Sequence, residues 1–156
     1  MRKVLSYIIC MTFIGLAHAD GSGPEDVYFM FLSELKETNN IQALYKYMSD
    51  DAKSRTNEDI DGMVKRGRNA NEAKEVMLRM MQATQSCVVN RKKQEEINKG
   101  SGEIIIVYKF EDRCLANTFR GELEKHKNIK VADTEKVYMV NEDGWKISKA
   151  VSEISE

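Results

Sequence analysis

The stretch Gly102–Cys114, GEIIIVYKFEDRC, decides the fold. Ile104, Ile105, Ile106, Val107, Tyr108 and Phe110 form a β-branched and aromatic run, and such side chains suit a pleated, half-buried surface better than a helix. The run predicts a long central strand. Working back from it, Lys99-Gly-Ser-Gly102 supplies a hairpin turn with Gly100-Ser101 as its two-residue loop. The partner strand is then Cys87–Asn98, whose mostly polar sequence suits a sheet edge. With that loop, Cys87 falls directly across from Cys114, which predicts a disulfide between them. The same register sets Lys92 against Lys109, an unfavourable like-charge pair, and puts the cysteines at a hydrogen-bonded site. A β-bulge in the first strand would relieve both.

Further along, Thr134–Val140 alternates as a strand should, Asn141-Glu-Asp-Gly144 reads as a tight turn, and Trp145-Lys-Ile147 opens the last strand. Between the two hairpins, residues 115–127 (LANTFRGELEKHK) fit a loop, a broken strand or a short helix. Upstream of Cys87 the periodicity is helical. Ser22-Gly-Pro-Glu25 is a helix start, followed by Tyr28, Phe31, Leu32 and Leu35 at i, i+3, i+4, i+7. Asn40 caps a shorter helix carrying Ile41, Leu44, Tyr45 and Met48, which Ser49-Asp-Asp51 closes. Thr56-Asn-Glu-Asp59 looks like another start, leading into Ile60, Met63 and Val64. Arg66-Gly-Arg-Asn69 either kinks a long helix or divides two, and Ala73, Val76, Met77, Met80 and Met81 then share one side. Helices first and strands after predict an α+β domain: N-terminal helices packed on a curved antiparallel sheet of about four strands.

The N-terminus reads as a cleavable secretory signal over residues 1–19. Arg2 and Lys3 precede an apolar centre of roughly a dozen residues, too short to span a bilayer, and Ala17-His-Ala19 is a small-x-small cleavage site. Cleavage after Ala19 leaves a single domain over 20–156, periplasmic or secreted, and no membrane segment follows. Disulfides persist in such compartments, which supports the Cys87–Cys114 pairing. Loss of Arg2 and Lys3 moves the formal charge from −1 to about −3. That is far from the basic field that displaces counterions from nucleic acid, so nucleic acid is not an expected partner.

No Gly-rich phosphate loop, zinc-ligand spacing or Ser-His-Asp order is present, so neither a cofactor nor a metal is expected. His126 is the one histidine left after signal cleavage and sits in a basic, polar stretch, where it reads as solvent-exposed. Asp112, Tyr108 and Tyr138 offer acid–tyrosine pairs, but no spacing selects one. Arg91-Lys-Lys93, followed by Glu95-Glu96, reads as a solvated strand face.

The order of amphipathic helices, a long hairpin and the closing segment Val-Tyr-Met-Val-Asn-Glu-Asp-Gly-Trp-Lys-Ile (137–147) resembles the nuclear transport factor 2-like superfamily, a cystatin-like α+β cone, and in particular its small secreted bacterial members of unknown function. The similarity covers most of the mature chain by pattern, with Gly144-Trp-Lys-Ile147 as its motif-like part. It implies a sheet curved around helices to enclose an apolar pocket. Enzymes of that superfamily use an Asp with a His or Tyr in the pocket, and no such set stands out here. The expected function is therefore non-enzymatic binding of a small apolar ligand, as a carrier or sensor, with Tyr28, Phe31, Met77, Met80, Ile106, Tyr108 and Tyr138 lining the pocket. The alternative is a protein-binding module of immunity or inhibitor type, or a homodimer joined through the sheet face.

Overall fold

The computed structural model describes residues 22–114 and 131–154. The expected signal segment, residues 115–127 and His126 lie outside them. Helix α1 (Pro24–Glu37) begins where Pro supplies a preset φ at the first helical position, with Gly23 as its cap and Glu25 and Asp26 in the first turn. Asn40 accepts a hydrogen bond from the Gln42 amide, 3.0 Å, and starts a short 3₁₀ helix, Ile41–Tyr47.

The next boundary corrects the sequence reading. Ser49-Asp-Asp51 opens a helix instead of closing one: the Ser49 Oγ accepts from the Ala52 amide at 3.2 Å, and α2 runs Asp50–Lys65. Thr56–Asp59, expected as a start, is helix interior, and the Thr56 hydroxyl donates back to the Ala52 carbonyl. Both sites have capping chemistry. Ser49 prevails because Met48 bridges to Ile147 and the Ser49 amide donates to the Ile147 carbonyl, which pins the chain in extended form just ahead of it. Gly67, at φ +100°, then ends α2, and Asn69 caps α3 (Ala70–Ser86).

The sheet has four antiparallel strands in sequence order, β1 (Val88–Gly100), β2 (Glu103–Asp112), β3 (Thr134–Asn141) and β4 (Trp145–Glu153). The first hairpin turns on Ser101-Gly102, one residue later than expected, with φ of +54° and +76° as a primed two-residue turn requires. Lys92 does face Lys109, because register shifts along β1 absorb the difference. One of them sets Asn90 and Arg91 opposite Phe110, with Asn90 at φ +53°. Cys87 belongs to the C-terminal cap of α3 and not to β1, and it is bonded to Cys114, two residues past the end of β2. The bridge therefore links a helix to the far end of the hairpin.

Helices cover one face of this curved sheet. Tyr28, Leu35, Ile41 and Leu44 from the helical half meet Ile106, Tyr108, Val137 and Met139 from the strands, all fully buried. Each such side chain removed from water contributes about 1.5–3 kcal/mol. Ile105 and Tyr138 point to the other face, directly across from one another. Among the described residues no helix is long and apolar enough to cross a membrane.

Candidate functional site

A hollow of about 370 Å³ lies between the helices and β4, within the range of small-ligand pockets. Each element contributes one face of itself. Helix α1 presents Tyr28, Phe31 and Leu35, and α3 presents Met81, Thr84 and Gln85. From α2 come Ala52, Arg55, Thr56 and Asp59, an i, i+3, i+4, i+7 set on one side of that helix. Met48 and Ile147–Ala150 close the remaining wall. Two of the α2 residues there, Ala52 and Thr56, are short, and they share the lining with the bulky Tyr28, Phe31 and Leu35 of α1.

Behind Tyr28 and Gln85 sits a buried polar network. The Tyr28 hydroxyl donates to Glu135 Oε2 at 2.6 Å, and Arg91 Nε donates to the same oxygen at 3.1 Å. Gln85 spans the pair: its Oε1 accepts from Arg91 Nη2 at 2.6 Å and its Nε2 faces Glu135 Oε1 at 3.4 Å. The Glu135 and Arg91 side chains are 2% and 12% exposed, so this is an interior ion pair. The guanidinium also lies 5.5 Å from the centre of the Tyr28 ring and 6.0 Å from that of Tyr108. Burial, reinforced by the Glu135 charge, drives the Tyr28 hydroxyl well above the usual tyrosine range. Burial and then Glu25 do the same to Tyr108, whose hydroxyl is 3.4 Å from the Glu25 carboxylate. A second hollow of about 520 Å³, beyond Leu35 and Gln85, is lined mainly by polar side chains including Lys36, Gln82 and Arg91.

Of the seven residues expected to line a pocket, the structure brings two, Tyr28 and Phe31, to the cavity wall. Ile106 and Tyr108 are core residues beneath it, and Met77 is half-buried against that core. Met80 is 57% exposed: the buried stripe of α3 is Ala73, Met77, Leu78 and Met81, which leaves Met80 at its edge. Tyr138 lies on the opposite face of the sheet, under the Lys149 ammonium at 4.2 Å. Arg91 likewise departs from the solvated-face expectation, because it sits in the β1 bulge and is re-aimed inward while Lys92 stays exposed.

Glu135 and the α2 face were missed. Glu135 lies in phase with Val137 and Met139, so the period-2 alternation of Thr134–Val140 carried that signal. The set 52, 55, 56, 59 was hidden by placing a helix start in its middle. No family model, curated protein or solved structure matches the chain.

Proposed function

We propose that this chain is an exported, non-enzymatic binding protein of the nuclear transport factor 2-like kind, which holds a small apolar ligand in the cavity between α1, α2, α3 and β4. The observation that carries the reading is the hollow itself: its inner wall is Tyr28, Phe31, Leu35, Met48, Met81 and Ile147, while polar groups gather toward its outer rim. Thioethers at two of those positions suit an adaptable apolar contact. The buried carboxylate favours binding over proton transfer, since Glu135 is already engaged by Arg91, Tyr28 and Gln85. Export is supported by the Cys87–Cys114 disulfide and by the signal-like composition of residues 1–19.

The test is titration calorimetry with 1-octanol on the purified protein and on Ala52→Leu. The extra carbons of that substitution enter the hollow from α2. Binding to the unaltered protein, weakened at least tenfold in Ala52→Leu with the fold intact by circular dichroism, is the expected result. Absence of binding to either protein, or equal binding to both, overturns the cavity as the site.

A further inference from the structure

The class of ligand follows from which polar atoms at the rim are already in use, and it rests on the binding reading above. Every cation at the cavity is engaged. Arg55 is paired with Asp51 and donates to the Ser148 carbonyl at 2.5 Å. The Lys149 ammonium lies over the Tyr138 ring on the far face of the sheet. The amide of Gln85 is directed to Glu135 and its carbonyl oxygen is taken by Arg91.

Of the threonine and serine hydroxyls that line the cavity, Thr56 and Thr84 are used as donors among the described residues and Ser148 is not. Thr56 donates to the Ala52 carbonyl and Thr84 to the Met80 carbonyl, each at 2.9 Å, so each turns only lone pairs to other partners. Among the charged side chains at the cavity Asp59 alone is uncommitted: it lines the space, is exposed, and has no hydrogen-bond or ion-pair partner among the described residues. The rim thus carries the threonine lone pairs and one free negative charge, standing over an apolar wall that includes two aromatic rings.

We infer that the cavity takes an organic ammonium, a ligand whose apolar body fills the space against Tyr28, Phe31, Met48 and Met81 while its protonated amine meets Asp59 and the Thr56 and Thr84 oxygens at the rim. A carboxylate ligand faces repulsion from Asp59. A neutral alcohol keeps the apolar contact and lacks the charge.

Three probes of equal chain length separate these cases: n-octylamine, 1-octanol and octanoate, titrated calorimetrically into the purified protein near neutral pH at low salt. Octylamine is expected to bind about fivefold more tightly than octanol, the scale of a solvent-exposed charge pair, with octanoate weakest. In Asp59→Asn the advantage of octylamine over octanol, read as the ratio of their affinities for the same variant, should fall toward onefold. Asp59 is exposed and unbonded, so this variant keeps the fold. Octanol binding as well as octylamine, octanoate binding best, or an amine preference that survives Asp59→Asn overturns the ligand class and leaves the cavity reading standing. Failure of all three probes to bind removes both.

Discussion

Arg91 and Glu135 concentrate the energetic stakes at the scale of single residues. An interior ion pair contributes little over a well-packed apolar pair, because two charges must leave water, yet losing one partner strands the other. Arg91→Met should therefore cost about 3–5 kcal/mol in urea unfolding, and Glu135→Leu a similar amount. The double variant should lose less than either single one; if the two losses simply add, the pair is not coupled and the network has been misread. Glu135 was legible from parity alone, since it alternates in step with Val137 and Met139. Arg91 was not. Its inward turn depends on a bulge opposite Phe110, and neighbouring lysines with the same charge remain outside.

At the scale of elements, the caps and turns were well marked in the chain: Pro24, Asn40, Asn69 and the two glycine-bearing hairpins act within a few residues of themselves. Where two capping sequences competed, at Ser49 and Thr56, the winner was chosen by a distant contact, the bridge from Met48 to Ile147. The Cys87–Cys114 bond joins the end of α3, which carries Gln85, to the chain two residues past the end of β2, across a separation of 27 residues. Reducing it should lower stability by about 2–4 kcal/mol. Hydrogen exchange is expected to quicken first from Gln85 to Arg91 and at Asp112. Unchanged unfolding and exchange in reductant would show that the bond does not hold helix to sheet.

For the whole molecule, the two tyrosines at the junction of helices and sheet set a pH limit. Burial, above all, raises both folded-state pKa values above the ordinary tyrosine value of 10.0. Below pH 10 they are neutral in both states and their packing is fully present. Above it, the unfolded chain releases protons that the folded chain retains, so stability falls as pH rises, by about 1.4 kcal/mol per unit for each tyrosine that stays protonated. Alkaline denaturation should be cooperative, with the last part of the tyrosinate absorbance appearing together with loss of helix. Ionisation of every tyrosine without unfolding would mean that these hydroxyls reach solvent in the native state.

The α+β order, the central strand, the terminal hairpin and the cysteine pairing were determined by the sequence itself, because β-propensity, turn chemistry and hydrophobic period act over a few residues or along one hairpin. Only the tertiary structure decided that short side chains of α2 would share a hollow with bulky ones of α1, that Arg91 would turn inward onto Glu135, and that Met80 and Tyr138 would leave the site for solvent and the far face of the sheet. Those outcomes depend on the rotation of one element against another and on where a strand slips register, quantities that no local pattern encodes.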